Sequence, residues 1–144
     1  MNKDGSAGDT DYGIIGSSYS DFRKPEYKIL EVIVSQLGEA YSVLNVGAGT
    51  GSYEPTNINI TAVEPSSTMR AQRPNGLKPA IDAVAEDLPF ADNTFDASMS
   101  IFSIHQWKDL RKGLAEMRRV TQGKVILMSC LPSKVCDYWL YDYA

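Results

Sequence analysis

Two short motifs in the first half of the chain carry residue types that suit ligand binding. In the segment NVGAGTG at 45–51, glycine recurs at alternating positions, so the backbone can turn tightly and lie close to a ligand where a Cβ would collide. Glu64 ends the next apolar run, and a carboxylate there can accept hydrogen bonds from both hydroxyls of a ribose. Taken singly, these are also typical of an ordinary turn and a solvated acid. Together they favour a nucleoside cofactor.

The elements that position these motifs alternate between strands and helices. The apolar runs predict strands at 42–46, 58–64, 78–85, 94–102 and 124–129. Helical spacing predicts helices at 25–37, 66–73 and 109–120, the last with Leu110, Leu114 and Met117 as its buried stripe. Alternation of this kind predicts an α/β fold with a parallel sheet covered on both faces, in which ligands bind at the carboxyl ends of the strands.

Length and composition fit one globular domain. The 144 residues are 43% apolar and 22% charged, and residues 1–10, which are small and polar, are expected to be a flexible lead-in to a domain at 11–144. The net charge of −4 disfavours nucleic acid as a partner, and no apolar run is long enough for a membrane span. Cys130 and Cys136 lack the spacing of a metal site or a disulfide framework, so we expect no metal and a cytoplasmic location.

Five motifs in order resemble one enzyme family. They are VLNVGAGTG at 43–51, AVEPS at 62–66, AEDLPF at 85–90, DNTFD at 92–96 and HQWKD at 105–109. Together they resemble the class I S-adenosylmethionine-dependent methyltransferases, and among these the type 11 group that includes the ubiquinone and menaquinone C-methyltransferases. The resemblance implies a Rossmann-like doubly wound sheet with five parallel strands in the order 3-2-1-4-5. It implies S-adenosylmethionine as the cofactor, S-adenosylhomocysteine as the product and a small-molecule methyl acceptor.

The resemblance also assigns residues to parts of the cofactor. Gly47, Ala48 and Gly49 would lie against its methionine part, and Glu64 would accept from both ribose hydroxyls. The remaining residues of the implied site are these: Pro65 and Met69 on either side of the adenine, Ala85 and Glu86 at its edge, Ser100, Ile101 and Phe102 near the reactive methyl, and Tyr19 and Arg23 in an N-terminal segment that covers the cofactor.

Two departures from the family pattern concern the glycine turn. Asn45 stands where the family commonly has Asp, so the acceptor is kept but the charge that would attract the cofactor's ammonium is lost. Between Gly51 and Thr61 there are too few residues for the usual crossover helix, which we expect to be one turn or a loop.

Methyl transfer from a sulfonium requires few catalytic side chains, because positioning and exclusion of water supply much of the effect. His105, the only histidine, follows the fourth predicted strand and is the candidate general base; packing or capping is the alternative role. Trp107 and Phe102 are candidates for an acceptor pocket or for the core.

Two other function classes stay open on the sequence. An NAD-dependent oxidoreductase also uses a glycine turn and an acid, but its fingerprint needs Gly-x-Gly-x-x-Gly, and Ser52 stands at the last position. A non-catalytic S-adenosylmethionine-binding partner subunit is the other class, favoured by Asn45.

The C-terminal region indicates whether the chain contains every element of the family that it resembles. The family continues past the fifth strand with a helix and an antiparallel strand pair, so we expect a chain truncated at its C-terminus. The fifth strand would then be an apolar edge, available for a homodimer. The aromatic residues at 137–143 are expected to begin a helix.

Overall fold

The computed structural model describes residues 26–130, and every structural statement below concerns that part of the chain. The expectations for residues 1–10, Tyr19, Arg23 and 137–143 lie outside it. The elements in chain order are α1 (Tyr27–Leu37), β1 (Ser42–Val46), β2 (Asn59–Val63), α2 (Ser67–Ala71), β3 (Ala97–Ile101), a 3-10 turn (Ile104–Gln106), α3 (Leu110–Val120) and β4 (Val125–Met128).

The four strands form one parallel sheet in the order β2-β1-β3-β4. This confirms the α/β class and the parallel sheet, and each strand lies inside a range predicted from the sequence. No helix separates β1 from β2 in the structure, as the short connection predicted.

The predicted strand at 78–85 is wrong, so the described residues hold four strands and not five. It is reduced to one parallel bridge, in which Ile81 N donates to Ala62 O at 2.8 Å and Ile81 O accepts from Glu64 N at 2.9 Å. Pro79 has no N–H for a ladder. The carbonyl of Lys78 accepts from the guanidinium of Arg73 at 2.9 and 3.1 Å. The bridge nevertheless lies beside β2, where the expected order places the third strand.

Alternation along the strands builds a separate core on each face of the sheet. One core contains Leu44 and Val46 of β1 with Met117 and Val120 of α3, and the other contains Val43 with Ile33 and Leu37 of α1. The prediction that Leu110 belongs to the buried stripe of α3 is wrong, because this side chain is 45% exposed. The helix buries Gly113, Met117 and Val120, which follow the i, i+4, i+7 spacing of one face.

A carboxylate joins the starts of two neighbouring strands. Oδ2 of Asp96, just before β3, accepts from the backbone N–H groups of Tyr41 and Ser42, each at 3.0 Å. These two donors lower the pKa of Asp96 below its usual value. The last residue of the DNTFD motif therefore has a structural role at the start of β1.

The loop of the AEDLPF motif is fixed to α3 by an ion pair. Arg119 donates to the carbonyls of Leu88 at 3.0 Å and Phe90 at 2.7 Å, and it contacts Glu116 at 2.7 Å. Glu116 also accepts from Leu88 N at 2.9 Å. The Arg119 hydrogen bond lowers the pKa of Glu116 from 4.5 to about 2.

This ion pair predicts an acid-dependent loss of stability. A carboxyl with a depressed folded-state pKa stabilises the fold above its unfolded pKa, and that stability is lost as the pH falls from about 5 towards 2. We expect Glu116→Gln to lower the free energy of unfolding by about 1–2 kcal/mol at pH 7, the pair being partly solvated. The difference from the unmodified chain should vanish near the folded pKa of about 2.

Urea unfolding at several pH values measures this difference, with Glu31→Gln on the exposed surface of α1 as the control. An equal effect of Glu116→Gln at every pH would contradict the assignment.

Candidate functional site

The carboxyl ends of β1, β2 and β3 meet at one edge of the sheet, and most of the predicted site residues lie there. The parallel register pairs Val46 with Val63, so the residues that follow, Gly47 and Glu64, leave the sheet side by side. Ala48 N donates to Val63 O at 3.0 Å, which fixes the glycine turn to the end of β2.

The glycine turn can be built only from glycine at its two ends. Gly47 and Gly51 have φ values of +68° and +83°, in the region that side-chain-bearing residues rarely adopt. A Cβ on Gly47 would overlap the hydroxyl of Ser103, and one on Gly51 would lie 2.5 Å from Leu77 Cδ1. This turn at 47–51, called the cradle below, therefore needs glycine because of contacts within the chain, and its contact with the methionine part of the cofactor stays a prediction.

Glu64 lies against this turn. Its side chain is buried, with Oε2 accepting from Gly49 N and Oε1 from Ser66 N, each at 2.8 Å. The hydroxyl of Ser66 accepts from Met69 N at 3.3 Å and so begins α2, which places the Met69 methyl 3.2 Å from where a Gly49 Cβ would be. The structure thus brings together Gly49, Glu64 and Met69, which the sequence assigned to three parts of one cofactor.

The sequence analysis missed a buried ion pair behind the turn. Glu54 and Arg73 have side chains only 2% and 3% exposed, and they are joined by two hydrogen bonds of 2.8 and 2.9 Å. Asn45 Nδ2 donates to Glu54 Oε1 at 3.0 Å. A carboxylate directly after a glycine turn was the only signal in the sequence. Its partner, 19 residues away, is fixed by tertiary packing.

Of the residues predicted to contact the adenine, Ala85 is buried and Pro65 is half-buried. Glu86 Oε1 accepts from Asp109 N at 2.9 Å, at the beginning of α3. Asp109 in turn caps that helix by accepting from Lys112 N at 3.0 Å. Glu86 therefore orients α3, and its contact with adenine stays a prediction.

On the β3 side, Ser100 is fully buried and its hydroxyl has no hydrogen-bond partner within the described chain. Ile101 is half-buried at the strand end. Phe102 has a φ of +55°, which is strained for a bulky side chain. Its ring meets that of Tyr53 edge to face, with centroids 5.8 Å apart. Tyr53 was not predicted as a site residue, and it brings a second aromatic ring to this edge.

His105 lies in the 3-10 turn after β3 and is exposed. Two residues later, Trp107 Nε1 donates to Ser103 Oγ at 3.3 Å, and the indole packs so closely on Gly113 that a Cβ there would lie 2.6 Å from the ring. Trp107 therefore joins the turn after β3 to α3 and packs on the core that includes Met117.

Over residues 26–130, no group of three or more His, Cys, Asp or Glu residues is arranged to hold a metal ion. Nor does that range contain a helix with the length and apolarity to cross a bilayer.

The geometry at Gly47 predicts that adding one methyl group there strongly lowers the stability of the fold. We expect Gly47→Ala to lower the free energy of unfolding by about 2–4 kcal/mol, since it combines a left-handed φ with a steric overlap. Gly76→Ala is the control, because a Cβ at Gly76 has nothing within 4 Å. Thermal or urea unfolding of both variants measures the difference, and equal stabilities would show that the turn tolerates a side chain.

The chain matches known proteins both in sequence and in fold. The sequence pattern of a family described as a methyltransferase domain matches residues 44–128. The demethylmenaquinone methyltransferase of Paenarthrobacter aurescens is 30% identical over 125 residues, which make up 81% of this chain and 49% of that protein. The chain therefore spans about half the length of this curated relative.

Two solved structures share the fold. A methyltransferase from an antibiotic biosynthesis pathway of Anabaena variabilis is 31% identical with a TM-score of 0.73, over 84% of this chain and 52% of that one. A SAM-dependent methyltransferase from Thermotoga maritima is 25% identical with a TM-score of 0.68, over 81% of this chain and 60% of that one. The oxidoreductase alternative is not favoured by these matches. The chain belongs to the S-adenosylmethionine-dependent methyltransferase family that its five motifs resemble, which confirms the predicted cofactor.

Proposed function

We propose that this chain catalyses the transfer of a methyl group from S-adenosylmethionine to a small quinone-type acceptor. The observation that carries the proposal is the buried carboxylate of Glu64 at the tip of β2, bonded to Gly49 N of the glycine turn. A carboxylate held beside a backbone cradle suits a ligand with a ribose next to an amino-acid chain. The Paenarthrobacter aurescens relative, named a demethylmenaquinone methyltransferase, supports the acceptor class.

In this proposal each wall of the site has one task. Gly47, Ala48 and Gly49 bind the methionine part, and Glu64 orients the ribose. Met69 and Pro65 bind the faces of the adenine, and the backbone at Ala85 binds its edge. The residues after β3 surround the methyl group, with Ser100 and Ile101 at the strand end and Phe102 beside Tyr53.

When bound, S-adenosylmethionine supplies a methyl group already activated by the positive sulfonium. The remaining tasks of the protein are to align the acceptor in line with the breaking bond and to exclude water. A quinol carbon or hydroxyl that accepts the methyl group must also lose a proton. We propose that His105, in the turn after β3, receives this proton.

The homodimer and the cytoplasmic location also stay proposals. β4 is an edge strand of the described sheet, and Leu127 on it is 43% exposed, which supports pairing of two copies through this edge. The absence of a disulfide pattern in the sequence supports a reducing compartment.

The role of Glu64 is tested with ligands that share the ribose. We expect Glu64→Gln to weaken S-adenosylhomocysteine and adenosine by the same factor, roughly 10- to 150-fold, as expected for hydrogen bonds to a charged acceptor. Isothermal titration calorimetry measures both affinities, with Asp92→Asn as a control at an exposed acid. Unchanged adenosine binding would refute the ribose assignment.

The role of His105 is tested by turnover. We expect His105→Ala to lower kcat by about 100-fold with the KM for S-adenosylmethionine unchanged, because proton transfer and cofactor binding are separate tasks. The assay uses a reduced demethylated quinone and follows S-adenosylhomocysteine and the methylated product by mass spectrometry. Lys108→Ala, at an exposed neighbouring position, is the control. Undiminished methylation by His105→Ala would remove the general-base role.

A further inference from the structure

We infer that Asn45, Glu54 and Arg73 form a buried charge cluster that positions the glycine turn for the cofactor. The inference rests on the proposed function, because it assigns these residues a task at the same site. They are positioning residues, and they act on the ligand through the turn.

The cluster lies beside the connection between β1 and β2, which contains no helix. Parallel strands usually need a crossover helix between them, but residues 47–58 connect β1 to β2 without one. On one side the turn is held by the end of β2, through Ala48 N to Val63 O and Gly49 N to Glu64. The turn is also contacted by the buried charge cluster, through Glu54 N to Gly51 O.

Contacts of the cluster reach both ends of the turn. Asn45 is the next-to-last residue of β1, two positions before Gly47, and its amide donates to Glu54 at 3.0 Å. Glu54 N donates to Gly51 O at 3.1 Å, and Arg73 Nη1 lies 2.8 Å from where a Gly51 Cβ would be. A shift of Glu54 would therefore move the start and the end of the turn together.

The guanidinium of Arg73 donates hydrogen bonds to two different groups, the carboxylate of Glu54 and the backbone carbonyl of Lys78. Its Nη1 and Nη2 donate to the two carboxylate oxygens of Glu54 at 2.9 and 2.8 Å, while Nε and Nη2 donate to Lys78 O. This planar two-sided geometry requires arginine, since a lysine ammonium cannot make paired parallel bonds. Arg73, which follows α2, thereby ties the Lys78 carbonyl to Glu54 beside the turn.

Charge balance explains the amide at position 45. Glu54 and Arg73 together are neutral, and the Asn45 amide adds a donor without adding charge. An aspartate at this position would place a second carboxylate about 3 Å from Glu54, and a buried negative charge would be left without a partner. The amide at position 45 is therefore matched to the glutamate nine residues later.

The test compares single and paired substitutions. Glu54→Gln removes the charge, Asn45→Asp adds one, and the double variant Asn45→Asp/Glu54→Gln restores one carboxylate to the cluster. Asp82→Asn is the matched control, because Asp82 makes an ion pair with Arg70 of α2, three residues before Arg73, but its side chain is 71% exposed. All proteins are compared at a temperature well below their unfolding transitions.

The first readout needs no ligand. We expect amide hydrogen exchange of residues 47–53 in the free protein to be at least about 10-fold faster in each single variant than in the unmodified chain. The control should exchange at the original rate. The single variants could instead be less stable to unfolding while residues 47–53 of the folded protein exchange at the original rate. In that case the cluster contributes stability only, and the inference fails.

The second readout is the affinity for S-adenosylhomocysteine by calorimetry. We expect each single variant to bind at least about 10-fold more weakly and the double variant to bind more tightly than either, because the two positions are coupled. Additive losses would overturn the coupling. If Glu54→Gln does not fold, Asn45→Asp and the double variant decide the question. If the unmodified chain binds no S-adenosylhomocysteine, the proposed function fails, while the exchange data still test the cluster.

Discussion

The parallel pairing of β1 with β2 is the constraint on which the site depends. Because Val46 is paired with Val63, the glycine turn and Glu64 leave the sheet at the same level, close enough for Gly49 N to donate to the carboxylate. A shift of one residue in this register would turn the side chains of β2 to the opposite face and separate the two motifs. The cores on both faces of the sheet, around Leu44 and around Val43, fix that register by burying alternate residues of β1.

Features that depend on residues close together in the sequence could be predicted, and features that depend on contacts elsewhere in the fold could not. The strands and helices are encoded by local periodicity, and the position of Glu64 beside the glycine turn follows from parallel topology. The failed strand at 78–85 has a partly local cause in Pro79 and a tertiary cause in Arg73, which captures the Lys78 carbonyl. Leu110 fits the helical spacing, but it is the first residue of α3 and is exposed, while the buried face of that helix begins at Gly113.

The ion pair between Glu54 and Arg73 shows why some site residues escape such predictions. Charged side chains in a sequence are usually solvated, and burial of a pair gives little net stability because both groups lose their hydration. What such a pair supplies is geometry, since its hydrogen bonds are directional and each partner excludes other neighbours. Here Glu54 and Arg73, which lie outside the five motifs, contact the end of the glycine turn and the Asn45 side chain before it.

The single bridge at Ile81 also changes which backbone groups are open beside β2. An open strand edge presents a row of unused N–H and C=O groups to which another chain can add. Beside β2, Ile81 donates to the carbonyl of Ala62 and accepts from the N–H of Glu64. In the same segment Pro79 has no N–H to donate, and the Lys78 carbonyl accepts from Arg73. The segment is thus too short and too well satisfied to act as a template for a further strand. The arginine that binds Glu54 beside the glycine turn therefore also uses one of the few acceptors that this segment offers to a further strand.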